Sequence, residues 1–165
     1  MTTKRNTMNK AICTRADDVP GKLASHAQWL KTHGRQGTVA DFSRRILPCE
    51  DFVGVDLRGA NFSHSNLAGA DFTGAHLDDA SFYEACLYGA DFTDANLTDA
   101  VFENAFLRCA DFTGADLRGA SATVRTSALG KTVTRSVLGA NFTGAHLSDQ
   151  FEQLANALKA AAGEL

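Results

Sequence analysis

The chain has 165 residues, of which 44% are hydrophobic, and a formal net charge of −3. That is the size of one domain with enough apolar content for a core, and no apolar run approaches the roughly 20 residues that span a bilayer. The charge is uneven: residues 1–39 carry a net +5 and residues 40–150 a net −7, so the acidic middle argues against a nucleic-acid-binding groove there.

Residues 1–18 are polar and patternless and read as a mobile leader. Basic residues occur there, but no apolar stretch of a secretory signal follows them. Pro20 can open a helix at its first turn, and Gly34 is a stop signal. Leu23, Ala27 and Leu30 recur between them at helical spacing, with Trp29 alongside. This predicts a short amphipathic helix over 19–34, placed to cover the open end of the repeats that begin at Thr38.

From Thr38 the sequence repeats every five residues. A large apolar residue marks the centre of each unit: Phe42, Leu47, Phe52 and Leu57, then Phe62, Leu67, Phe72, Leu77, Phe82, Leu87, Phe92, Leu97, Phe102, Leu107, Phe112 and Leu117. Phe and Leu alternate without a break. From Ala60 on, Ala stands two residues before each centre, Ser65 excepted. Arg45 and Glu50 hold that place in the first turn, which must therefore be irregular; the two charges could meet as an ion pair. A repeat of this length and regularity fixes the architecture before any other signal.

After Ala120 the pattern fails. Continuing it through 121–139 would put Arg125 and Arg135 at inward positions, where unpaired charge is untenable. Ala120 to Ala140 is the length of four units. A looped-out excursion over 121–139, carrying the basic residues Arg125, Lys131 and Arg135, is the favoured reading; a degenerate coil is the alternative. The repeat resumes at Ala140-Asn141-Phe142 and Ala145-His146-Leu147. Ser148-Asp149 then reads as the cap of a helix over 149–162, with Phe151, Leu154, Ala155 and Leu158 on one apolar face.

Ala-Asp-Phe-Thr-Gly, Ala-Asn-Leu-Thr-Asp and Ala-Asp-Leu-Arg-Gly resemble the A(D/N)LxX unit of the pentapeptide-repeat family over about 40–149. The resemblance implies an all-β solenoid: a right-handed quadrilateral β-helix with one unit per side and twenty residues per coil, here spanning 38–149 between N- and C-terminal capping helices. The physics fits. Small Ala lets the backbone turn closely, the centres fill the interior, and neighbouring coils pair about 4.8 Å apart. Phe and Leu centres should then stack in separate columns along the axis.

No chemistry stands out. Cys13, Cys49, Cys86 and Cys109 have no CxxC spacing and read as free thiols of a reducing cytoplasm. Counted by twenty, His64, His76 and His146 fall on different sides or coils, so no metal set converges. There is no nucleophile motif and no phosphate-binding glycine loop. The expectation is a protein that is not an enzyme and uses no cofactor or metal.

Surface is what remains. Counting by twenty aligns Asp51, Asp71, Asp91 and Asp111 in one column, and adds Asp56, Asp78, Asp79, Asp99 and Asp116 on the next side with Asp94 at the corner between. Such carboxylates can accept backbone N–H groups at a corner, or form an acidic face for a partner. On the other two sides Tyr83, Tyr88, Val101 and Phe106 lie within about one coil and suggest an apolar contact patch. The first functional expectation is a rigid, non-catalytic protein-interaction module in the cytoplasm. The second comes from the resemblance: some family members mimic double-stranded DNA, bind DNA gyrase or topoisomerase IV, and protect against quinolones or related toxins. The resemblance also implies a homodimer through the C-terminal helix.

Overall fold

The structure, a computed structural model, describes residues 18–122 and 138–163. The leader 1–17 and the basic residues Arg125, Lys131 and Arg135 lie outside the described residues.

Each five-residue unit uses its backbone the same way. The Ala two before the centre is buried and donates its N–H three residues back, as Ala70 does to the Leu67 carbonyl. The residue before the centre forms a parallel bridge to the coils above and below. The centre is buried and donates to the next coil, as Phe62 does to the Ser81 carbonyl at 2.7 Å. Two residues after the centre the chain turns with positive φ, at Gly59, Asp79, Asp94, Asp99 and Cys109 among others. The corner therefore belongs to this residue, while the preceding Ala serves the interior.

The bridges fall into four ladders, one per side of a twenty-residue coil. They run Asp41–Asn61–Ser81–Val101–Ser121, Ile46–Asn66–Cys86–Phe106, Asp51–Asp71–Asp91–Asp111–Asn141 and Asp56–His76–Asn96–Asp116–His146. Each side is named below by its first residue. Inside, the Phe residues stack along the axis: Phe52 on Phe72 at 4.9 Å and Phe62 on Phe82 at 5.1 Å between ring centroids. The two Phe columns also meet edge to face across the axis, as Phe62 and Phe72 do at 5.5 Å. Burying each ring contributes about 1.5–3 kcal/mol, and each aromatic pair adds about 0.5–1.5 kcal/mol. Ser65, the one polar residue at an Ala position between Ala60 and Ala120, is buried and donates its hydroxyl to the Phe62 carbonyl at 2.6 Å.

Of the expected excursion over 121–139, only Ser121, Ala122, Leu138 and Gly139 are among the described residues, and these keep to the repeat. Ser121 continues the first ladder on Val101, and Ala122 is buried. At the far edge the Leu138 carbonyl accepts from Cys109 N–H, and Asn141 bridges Asp111. The step from Asp111 to Asn141 is thirty residues where every earlier step is twenty. The register thus lies ten residues beyond the regular step on the far side of the break; residues 123–137 of the expected excursion lie outside the described residues. Phe142 accordingly stacks on Phe112 at 5.2 Å, and His146 joins the side that holds His76. Counting by twenty places it elsewhere, because the step across the break is thirty residues.

Helix α1, Val19–Lys31, closes the first coil. Asp18 starts it by accepting Gly21 N–H at 3.0 Å. Val19 and His26 are buried and Leu23 packs on the core, while Ala27 is exposed. The covered face is rotated from the expected Leu23/Ala27/Leu30 stripe because the end of the coil offers a polar group, Ala40 N–H, which His26 Nδ1 accepts at 3.1 Å. Gly37 lets the returning chain pass against α1, where a side chain would strike the Ser25 carbonyl.

Helix α2, Asp149–Gly163, closes the other end. Phe151 and Leu154 are buried, and Phe151 packs edge to face against Phe102 at 5.5 Å. Ser148 Oγ donates to the Ala120 carbonyl at 2.7 Å, and Gln150 Oε1 accepts Ala122 N–H at 2.7 Å. Both helices thus satisfy backbone groups that the terminal coils leave unpaired, which an open β edge requires.

Candidate interaction surfaces

The Asp51 side presents its four aspartates in register. Each accepts, through Oδ1, the backbone N–H two residues on: Val53 at 3.1 Å, Thr73 at 3.0 Å, Thr93 at 2.9 Å and Thr113 at 2.9 Å. Thr73 and Thr113 add their hydroxyls at 2.6 Å. Asn61, Asn66 and Asn96 make the same turn on the other sides. One carboxylate oxygen of each Asp is therefore committed to holding the turn.

The Asp56 side is partly neutralised. Arg58 and Arg118 grip Asp56 and Asp116 through two guanidinium nitrogens each, with closest approaches of 2.8 and 2.6 Å. These bonds, above all the side-chain hydrogen bonds, hold both carboxyls below their ordinary pKa. Asp78 Oδ1 accepts from Asn96 at 2.7 Å, and its Oδ2 is buried with no hydrogen-bond partner among the described residues. Asp56, Arg58, His76, Asp78 and Asn96 line an open groove of about 300 Å³. Asp79, Asp94 and Asp99 occupy corners with φ of 59°, 56° and 58°. Aspartate tolerates that conformation better than most non-glycine residues, so their placement has a backbone reason as well.

The four candidate apolar residues divide between two sides. Phe106 stacks below Cys86 on the Ile46 side and is 57% exposed; Tyr88, on the same side, is 49% exposed. Tyr83 and Val101 belong to the Asp41 side, round the corner. Val101 is half-buried, and Tyr83 meets His64 edge to face at 5.4 Å. Leu138 joins the Ile46 side below Arg108, 45% exposed. The sequence pattern misses it by assigning it to the excursion. The triplet Leu138-Gly139-Ala140 matches the corner triplet Arg118-Gly119-Ala120 and could have revealed its place.

Cys49, Cys86 and Cys109 are free thiols. Among the described residues, no group of three or more His, Cys, Asp or Glu is placed to hold a metal ion, and no helix is long and apolar enough to cross a membrane.

Five-residue units, four parallel ladders and an interior of stacked centres define a four-sided β-helical solenoid. The "Pentapeptide repeats" family matches in eight copies over residues 40–74, 56–94 and 95–123. The chain belongs to the pentapeptide-repeat family. Similar solved structures include a pentapeptide repeat protein from the thylakoid lumen of Arabidopsis thaliana, 36% identical over 70% of this chain and 77% of that one, TM-score 0.52. HetL, involved in heterocyst differentiation regulation in Nostoc, is 26% identical over 68% of this chain and 51% of its own, TM-score 0.47. QnrB1, a plasmid-mediated fluoroquinolone resistance protein, is 24% identical over 66% of this chain and 51% of its own, TM-score 0.33. No curated protein matches.

Proposed function

We propose that the chain is a non-catalytic, right-handed scaffold that holds a protein partner against its Ile46 side. The observation that carries this reading is the pair Tyr88 and Phe106, 49% and 57% exposed on one flat side. The paired coils behind them fix their backbone, so little main-chain entropy is left to lose on contact. Large aromatic side chains are the usual anchors of protein interfaces. The free thiols fit a cytoplasmic setting. Tagged wild-type protein should retain its partner in a pull-down, and Phe106→Asp or Tyr88→Asp should lose it with the fold intact. Capture unchanged by both substitutions removes this side from the account. Sedimentation at two concentrations tests the homodimer through α2.

A second reading, binding to a type II topoisomerase by imitation of DNA, rests on the unbroken Asp51, Asp71, Asp91 and Asp111 ladder, since evenly spaced anions suit a basic groove. It stands second because each of these carboxylates already serves its own turn. Gyrase supercoiling assays with and without the protein test it, and no effect on supercoiling or quinolone-induced cleavage ends it.

A further inference from the structure

His26 stands apart from both surfaces. It is fully buried, on a helix whose role is to close the solenoid. Its Nδ1 accepts the Ala40 N–H at 3.1 Å, which fixes the neutral ring with the proton on Nε2. Nε2 is buried with no hydrogen-bond partner among the described residues. The ring stacks on Trp29 at 5.7 Å, nearly parallel at 10°. Beside it α1 is held by Val19 and Leu23 on the core and by Lys22 Nζ, 6.0 Å above the Phe42 ring.

We propose that α1 is an acid-released cap, with His26 as its trigger. A proton on Nδ1 turns the acceptor of the Ala40 N–H into a donor facing a donor. The imidazolium then has two N–H groups in a buried site with no acceptor bonded to either, a costly arrangement. Leaving the site restores water to the ring. The departing helix carries Val19 and Leu23 off the first coil and bares Phe42 and the Ala40 edge.

The surrounding charges do not prevent this. Asp56 favours the protonated ring and Arg58 opposes it, and the two are paired to each other at 2.8 Å. On the facing elements, Lys22 of α1 and Arg45 of the first coil act on Asp41. Burial outweighs both influences on His26 and lowers its pKa from 6.5. A base whose folded pKa lies below its unfolded value binds more protons when released. Its stabilisation of the docked helix is therefore complete above pH 6.5 and is lost as pH falls below that value toward the folded pKa.

Hydrogen exchange read as protection factors removes the intrinsic pH dependence of the chemistry. From about pH 7.5 to about pH 5, protection of the α1 amides should fall by about tenfold while the coils from Phe62 to Leu117 keep theirs. Trp29, the only tryptophan of the chain, should report the same transition in fluorescence. His26→Asn puts a non-titrating acceptor near the place of Nδ1, so its α1 protection should not change over that range. Constant wild-type protection, or the same fall in His26→Asn, overturns the proposal. Should His26→Asn fail to dock α1 at any pH, the wild-type ring decides. Nitrogen-15 shifts must show Nδ1 unprotonated while α1 is protected, and a ring that protonates with α1 still protected refutes the mechanism.

Discussion

At the corners of the coil, a single backbone angle selects the residue. Gly59 and Gly119 share positive φ, 70° and 71°, yet differ in surroundings: a Cβ on Gly59 meets nothing within 4 Å, whereas on Gly119 it collides with Asp99 Oδ1 of the coil above. Gly59→Ala should therefore cost about 1 kcal/mol, the penalty of the left-handed conformation. Gly119→Ala should cost more, and a double-mutant cycle with Asp99→Ala should recover the excess; chemical denaturation measures both. The Asp91 turn separates hydrogen bond from charge. Asp91→Ala should destabilise by about 1 kcal/mol. Asp91→Asn keeps the acceptor and relieves repulsion along the ladder, so it should be neutral at high salt and slightly stabilising at low salt. Asp56 and Asp116 have folded pKa values below 3.8 because of Arg58 and Arg118. Their contribution is present above 3.8 and is lost as pH falls through the lowered values. An acid titration of stability should show this step, well below the window of His26, and Arg118→Ala should shrink it. The aspartate register is visible in the sequence, but not that Asp79, Asp94 and Asp99 serve the corners, because φ leaves no mark on a pattern of side-chain types.

The two helices are the elements that turn a repeat of indefinite length into a closed object. Their existence and extent are legible in caps, stops and apolar spacing: 19–34 is expected and Val19–Lys31 is observed, 149–162 and Asp149–Gly163. The face of α1 is not, since periodicity favours Ala27 over His26 and knows nothing of an unpaired N–H at Ala40. For α2 the apolar stripe suffices, because Phe151 enters a wholly apolar end. Phe151→Ala should cost about 3–5 kcal/mol, the usual result of removing a buried ring. The loss should be local: hydrogen exchange should rise in α2 and residues 138–147 while units 60–100 stay protected, since in stacked repeats each coil contacts only its neighbours.

For the whole molecule, five-residue spacing reveals the solenoid, but the register beyond the break, Asn141 on Asp111, does not emerge from it. The reason lies in the thirty-residue step. A shift of ten brings Phe over Phe and Leu over Leu, so the repeat cannot tell one phase from the other, and the Asn141-on-Asp111 pairing looks as sound as any. The solenoid is therefore tolerant of length changes in tens and intolerant of fives, which would drive Leu into a Phe column. Deleting residues 71–80 should leave a folded protein, because Phe82 then falls over Phe52, whereas deleting 71–75 should not; thermal unfolding compares the two. The same tolerance is a hazard during folding, when a coil can settle ten residues out of phase with little loss of core. What distinguishes the correct phase is the pair of closures, since Ser148 and Gln150 meet Ala120 and Ala122 in one phase alone. The helices thus act as clock marks on an otherwise ambiguous dial: they report, at the end of folding, whether the turns beneath were counted correctly.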